Sequence, residues 1–249
     1  MTASSSFWLA APYAIPADAG LNRAVWDLRY DAPPSFTHSF EINANPGETP
    51  ASPEGPLVLP GTYTLRLTVD GKSYTQPITV RNDPRETTPA AALAAQQALM
   101  MKLDAGINAA LTDHDAAIAL RDAVQKAAGA NAAGDVSTAA AALVARLDTL
   151  AGNPNARGFR GRGAAPRAPS FVQVSEQLVR ELEAQDVGDV APTEGVLASA
   201  HAACEQLSKA ESELRTIASQ ELPAYNATLT KHGLHAVATP KLPAASPGC

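Results

Sequence analysis

One stretch of about forty residues constrains the fold of this chain more than any other. After "RNDPRETTP", at residues 81–89, the sequence becomes rich in Ala, Leu, Gln and Asp, and strong turn signals disappear until Gly129. One seven-residue series within it comprises Leu93, Met100, Ile107, His114 and Arg121, and a flanking series comprises Gln96, Leu103, Ala110, Ala117 and Val124. Such spacing predicts one long helix with an inner stripe that faces a core.

Three more helices are predicted after it. Apolar stripes indicate helices over about 135–150 and 170–184, and a fourth that is capped by Thr193 and continues through a kink at Pro223 to about Lys231. Together these segments predict an antiparallel four-helix bundle over residues 87–238. A Gly-, Arg- and Pro-rich linker at 152–169 is expected to be flexible, and residues 239–249 form a C-terminal tail.

The first third of the chain has a different pattern. "PGTYTLRLTVDGKSYTQPITV", at residues 60–80, alternates apolar and polar positions on both sides of Asp70-Gly71, which is typical of a tight β-hairpin. Residues 21–30 alternate as well, which predicts a strand with Trp26 inward and an exposed Asp27–Arg29 ion pair. We therefore predict an α+β chain, with an N-terminal immunoglobulin- or fibronectin-like antiparallel β-sandwich at 1–86. Only four of about seven strands are recognisable, so an incomplete sandwich is expected.

Composition excludes several classes of protein. A net charge of −6 and a pI near 5.4 argue against a nucleic-acid binder, because binding to phosphates requires clustered Lys and Arg. No run of about 18 apolar residues predicts a membrane span, and the first sixteen residues lack the pattern of a signal peptide. The two cysteines, Cys204 and Cys249, are too few for a disulfide framework or a four-thiolate metal site.

Catalytic signals are weak. The sequence has no nucleophile elbow, phosphate loop, zinc-protease motif or dinucleotide fingerprint. His201 and Cys204 lie three residues apart on the fourth helix, and His114 lies on the inner stripe of the first, so these three could pair a thiol with an imidazole or bind zinc. The alternative is that they are ordinary core residues.

A second candidate site uses the remaining histidines. His232 and His235 have the spacing of two metal ligands on one helical turn, and His38 could complete a hydrolytic metal site if the modules pack together. A flexible pair of surface histidines is the alternative, because Gly233 weakens the helix. No cofactor is expected unless this site holds zinc or another divalent metal.

Three segments resemble a known family. "GLNRAVWDLRY", "LPGTYTLRLTVDGKSYTQPITVRNDPR" and "APTEGVLASAHAACEQL" look like the C-terminal region of exported bacterial glycosyl-hydrolase or sortilin-like BNR-repeat β-propeller proteins. The resemblance implies an immunoglobulin-like module followed by helices, and an accessory role without catalytic residues. The propeller repeats are absent, so the chain resembles a fragment that begins inside the sandwich. Its localisation is open, although the family that it resembles is periplasmic or extracellular.

Three functions follow in order of preference. The first is a non-catalytic accessory or interaction module. The second is a metal-assisted or thiol-based hydrolase of the phosphoesterase or esterase type. The third is a carbohydrate-binding module, which would need Trp8, Trp26 and Tyr30 exposed as stacking platforms. An incomplete sandwich would leave a strand edge unpaired, so we also predict a homodimer formed through that edge.

Overall fold

The computed structural model describes residues 10, 14–36, 47, 49, 52–129, 134–154, 169–186, 188–244 and 249. The sheet consists of strands β1 (Gly61–Val69) and β2 (Lys72–Val80). The helices are α1 (Ala90–Ala128), α2 (Gly134–Ala151), α3 (Phe171–Gln185), α4 (Glu194–Thr216) and α5 (Leu222–Lys231). A π-helical turn, Ile217–Glu221, joins α4 to α5, so that the two form one continuous helical rod.

The predicted fold class was wrong, because it required a β-sandwich before the helices. In the described residues the sheet is a two-stranded antiparallel hairpin, and no β-sandwich of the immunoglobulin type is present. The predicted strand at 21–30 is reduced to a single bridge between Arg29 and Leu57. Alternation alone cannot tell a strand with paired neighbours from an extended segment that crosses the surface. The sandwich edge on which the predicted homodimer depended is therefore missing from the described part of the chain.

The hydrophobic core lies among the helices. Helix α1 packs most extensively on α2 and α3, and α4 packs on α3 and on α1. The largest fully buried side chains in this core are Phe171, Leu103, Ile107, Leu147, Leu178, Leu182, Leu207, Leu214, Ile217, Leu222, Leu229 and Val124. No described helix has both the length and the apolar character that crossing a bilayer requires.

Two helix starts follow from local chemistry. The Thr193 hydroxyl accepts a hydrogen bond from the Val196 amide at 3.3 Å, which confirms the predicted cap of α4. Ser170 caps α3 in the same way by accepting from the amide of Gln173 at 3.3 Å. In both cases a side-chain oxygen satisfies a backbone N–H that has no partner within the helix.

The C-terminal tail is fastened back onto the helices. The side chain of Asn226 exchanges two hydrogen bonds of 2.8 Å with the backbone of Val237. Further along, the Arg215 guanidinium donates to the carbonyl of Pro243 at 3.0 Å, and Cys249 forms a disulfide bond with Cys204 on α4. Residues 155–168 of the predicted linker at 152–169, and residues 245–248 of the predicted tail, lie outside the described residues.

Candidate functional site: the exposed face of the hairpin

The β1–β2 hairpin has one apolar face and one polar face. The strands meet at the two-residue turn Asp70-Gly71, whose positive φ angles of 48° and 77° suit a tight hairpin. Because side chains alternate, odd-numbered residues of β1 and their even-numbered partners in β2 share one side. This apolar face comprises Tyr63, Leu65, Leu67, Val69, Tyr74, Ile78 and Val80, with Lys72 and Gln76 at its margin.

The apolar face is open to solvent. Leu67 is 53% exposed, Tyr74 is 60% exposed, and Leu65 and Val69 have exposures of 45% and 48%. Within the described chain, neither strand packs on a helix over more than a marginal contact. A lone two-stranded hairpin is at best marginally stable in water. The arrangement therefore presents a contiguous apolar surface with no counterpart among the described residues, and such surfaces mark interaction sites.

The two outer edges of the hairpin differ. Val69 and Lys72 flank the two-residue turn and form a hydrogen-bonded pair. From this pair onward, hydrogen-bonded and non-hydrogen-bonded pairs alternate along the hairpin. Thr64 and Pro77 form a non-bonded pair in this alternation, so their backbone groups point away from the partner strand. Pro77 has no N–H, which interrupts the outer edge of β2. The outer edge of β1 has a complete set of backbone groups.

The base of the hairpin is held by aromatic contacts. The ring of Trp26 meets the ring of Tyr63 edge-on, with centroids 5.6 Å apart. The Tyr63 hydroxyl donates to the carbonyl of Leu59 at 2.6 Å, and the indole N–H of Trp26 donates to the carbonyl of Arg29 at 3.0 Å. Both polar groups of these rings are thus satisfied where the rings are half-buried. Trp26 was predicted to lie in the interior of a sandwich; it instead holds the base of the hairpin through these contacts.

Arg29 connects the segment that carries Trp26 to the helices. Its guanidinium binds both carboxylate oxygens of Asp186 at 3.0 and 2.8 Å, donates to the carbonyl of Gly55 at 2.9 Å, and lies 3.3 Å from the Glu54 carboxylate. Burial is the largest single influence and lowers the pKa of Arg29. The hydrogen bonds to Asp186 and the negative charges of Asp186, Glu54 and Asp27 together outweigh it, so the net change in the pKa is a rise. The predicted exposed pair with Asp27 is therefore wrong: Asp27 instead accepts from the Arg29 amide.

Gln96 on α1 fixes the position of Asp186. Its side-chain amide donates to the carbonyls of Gln185 and Gly188, at 2.6 and 2.7 Å, just where α3 ends. Between this corner and the hairpin base lies a cleft of about 270 Å³. Its lining comes from five parts of the chain and includes Leu28, Leu57, Pro60, Val80, Leu93 and Met100. Small-molecule sites are usually larger. We therefore interpret the cleft as the gap where the hairpin base meets the helices, and not as a ligand site.

The predicted thiol site is not assembled. Cys204 is in the disulfide with Cys249, so it has no free thiol in this state. The side chain of His201 is 72% exposed and pairs with Glu205 at 3.7 Å. His114 lies against the ring of Phe36 and contacts Asp115 at 3.1 Å. Each of the three residues thus has a different partner.

The described residues do not assemble the predicted metal site. His232 contacts the carboxylate of Asp135 at 2.9 Å, His235 is exposed, and His38 lies outside the described residues. Across the described ranges, no three His, Cys, Asp or Glu side chains form a group that could hold a metal ion. The stacking platform of a carbohydrate site is not formed by Trp26 and Tyr30, because Trp26 is half-buried against Tyr63; Trp8 lies outside the described residues.

One charged cluster was missed by the sequence reasoning. Asp113 on α1 is 2% exposed, Glu211 on α4 is 3% exposed, and the Arg215 guanidinium lies 4.0 Å from the Glu211 carboxylate. Desolvation and the nearby charge of Glu211 raise the pKa of Asp113 to about 6, against a lowering by Arg215. The sequence did contain a signal that Asp113 faces the core. Asp113 belongs to a seven-residue series with Leu99, Gly106 and Leu120, and all four residues are buried.

Comparisons with known proteins give no family for this chain. No family model, curated protein or solved structure matches it. The resemblance to the C-terminal region of sortilin-like propeller proteins therefore stays a prediction.

Proposed function

We propose that this chain is a non-catalytic interaction module that binds a protein partner through the apolar face of its hairpin. The observation that carries the proposal is the exposure of Leu65, Leu67 and Tyr74 on one side of a sheet that none of the described helices covers. Covering such a surface removes apolar area from water, which favours association by about 25 cal/mol per Å² before the costs of binding.

The anchoring of the hairpin supports the proposal. A binding surface must be held in place if its contacts are to repay the entropy lost on association. Trp26 and Arg29 tie the hairpin base to Tyr63 and to Asp186 at the end of α3. The helices then act as the support and the hairpin as the contact element. An accessory role of this kind is also what the family resemblance implies.

The disulfide bond supports a location outside the reducing cytosol. Disulfides persist in exported and periplasmic proteins and are rare in the cytosol. The Cys204–Cys249 bond lies between helix α4 and the tail, where it adds to the support rather than to any reactive site. We therefore propose that the module works in an oxidising compartment.

A peptide-selection experiment tests the proposed function. A displayed library of random twelve-residue peptides is selected on the purified chain, and the affinities of selected peptides are measured by fluorescence anisotropy. The test variant replaces Leu65, Leu67 and Tyr74 with Thr, which keeps the strand preference but removes the apolar face. The matched control replaces Thr62, Thr64 and Thr75, on the polar face, with Ser.

The expected result is a set of peptides with alternating apolar residues. Their affinity should fall at least about tenfold in the apolar-face variant, equivalent to about 1.4 kcal/mol, and stay unchanged in the control. Circular dichroism verifies that both variants keep their helices. The proposal is overturned if no peptide is selected, or if the selected peptides bind the apolar-face variant as well as the native chain.

A further inference from the structure

We infer that β1 of a second copy of this chain pairs antiparallel along the outer edge of β1. This inference rests on the proposed function, because pairing along the edge joins the apolar faces of two hairpins into one interaction surface. It follows from three properties of the hairpin: which edge is complete, which register uses that edge fully, and where the charge falls in that register.

The choice of edge follows from Pro77. It lies opposite Thr64 in a pair whose backbone groups point outward, so the outer edge of β2 lacks one donor in its middle. The outer edge of β1 carries the N–H and C=O groups of Thr62, Thr64, Arg66 and Thr68, and all four residues are exposed. An added strand therefore finds an uninterrupted ladder on β1 and a broken one on β2.

The register follows from the same four residues. A twofold axis at Leu65 places Thr62 opposite Thr68 of the second copy, and Thr64 opposite Arg66 of the second copy. Every outward-facing residue of β1 then pairs with another outward-facing residue. With the axis at Thr64, Thr68 would face Pro60, which has no N–H; with the axis at Arg66, Thr62 would face the turn residue Asp70. The geometry points to the axis at Leu65.

Charge also argues against the axis at Arg66. Arg66 is the single charged residue of β1. An axis at Arg66 would set the two arginines directly opposite each other, and like charges in that position destabilise a sheet. An axis at Leu65 sets each arginine opposite a threonine. On the apolar face this register also brings Leu65 against its own copy and Leu67 against Tyr63 of the second copy.

The product is a four-stranded sheet in the order β2, β1, β1, β2, with one continuous apolar face. Three or more strands with an apolar face are much more stable than an isolated hairpin. The interrupted β2 edges lie on the outside of this sheet, where a missing donor discourages further strand addition. Assembly therefore stops at two copies, as expected for an isologous interface.

Cysteine cross-linking tests the register. Leu65 lies on the proposed axis in a non-bonded pair, for which the two Cα atoms are about 4.5 Å apart, within the range of a disulfide. We expect Leu65→Cys to form a covalent dimer under mild oxidation. Leu67→Cys is the matched control, because its two copies would be four residues apart along the strands, about 14 Å. It should stay at least about tenfold less cross-linked on non-reducing gels.

Proline substitution tests the edge. Thr64→Pro removes an outward donor from β1, and Thr75→Pro makes the same change on the edge of β2. By light scattering at about 50 µM, the native chain and Thr75→Pro should be dimers, and Thr64→Pro should dissociate at least about tenfold more readily. The cross-linking result does not depend on these variants, so a misfolded hairpin in Thr64→Pro leaves the test decisive.

The inference is overturned by a monomeric mass of the native chain, or by equal cross-linking at positions 65 and 67, which would indicate stacked faces instead of paired edges. Its failure is distinguishable from failure of the proposed function. A monomer whose selected peptides depend on the apolar face keeps the function and loses the self-pairing. A dimer cross-linked at position 65 with no selected peptides keeps the self-pairing and overturns the proposed function.

Discussion

Arg29 and Asp186, 157 residues apart in the sequence, form a two-point ion pair with distances of 3.0 and 2.8 Å. Bidentate arginine–carboxylate pairs fix orientation as well as charge. The side chains are 15% and 23% exposed, so solvent screens the pair less than a pair on the open surface. This contact determines how the segment that carries Trp26 lies against the helical support.

Loss of this pair should loosen the segment around it. The amides of Tyr30 and Val58 donate to Pro56 and Leu28, which makes them reporters of local opening. In Arg29→Gln we expect their hydrogen exchange to accelerate about tenfold, because a partly buried charged contact is removed. The control is Arg85→Gln, whose ion pair with Asp83 is exposed and should have no measurable effect. Unchanged exchange in Arg29→Gln would contradict the proposed anchoring.

Asp113 should make stability depend on pH. Its pKa is about 6 in the folded chain and 3.8 without burial, so the folded state binds its proton more tightly. The free energy of unfolding should therefore fall as pH rises from about 4 to about 6, and remain lower above that range. Asp113→Asn should gain roughly 1–2 kcal/mol at pH 7.5 and almost nothing at pH 4, measured by urea unfolding. Asp115→Asn, at an exposed neighbouring position, should show neither effect.

The disulfide should contribute to stability. It closes a segment of 45 residues, and a bond of that span is typically worth about 2–4 kcal/mol. Cys249→Ser should lower the free energy of unfolding by that amount, and treatment of the native chain with a dithiol reductant should do the same. A thiol titration of the untreated, unfolded chain should find no free thiol. Two free thiols per chain, with no response to reductant, would contradict the bond.

Gly152 should resist substitution for a steric reason. Its φ is +82°, and an added Cβ would lie 2.6 Å from the Ser170 hydroxyl oxygen and 3.1 Å from the Cβ of Val172. Gly129 has a similar φ of +69° with no neighbour within 4 Å. Gly129→Ala should cost about 1 kcal/mol of backbone strain, and Gly152→Ala about 1–3 kcal/mol more through crowding of the α3 cap. Equal midpoints in thermal unfolding would show that no crowding occurs.

The inner stripe of α1 shows how much of the burial pattern a seven-residue periodicity predicts. The series at Gln96, Leu103, Ala110, Ala117 and Val124 is buried throughout, as the sequence predicted. The parallel series leaves the core after Ile107: His114 and Arg121 are only partly buried, and Asp113 takes the inward place. A straight helix rotates about 20° per heptad relative to an exact seven-residue repeat, which turns that series outward. The predicted thiol site had placed His114 on this inner stripe, where the structure has Asp113.

The sequence by itself determined the local elements of this protein. The hairpin turn at Asp70-Gly71, the cap at Thr193 and the long α1 depend on neighbouring residues, so their chemistry is readable along the chain. Tertiary structure alone decided the rest. The Arg29–Asp186 pair, the Cys204–Cys249 bond and the absence of sheet partners for the described hairpin depend on segments far apart in sequence. Alternation predicts which side of a strand is apolar, but only the packing of distant segments determines whether anything covers it.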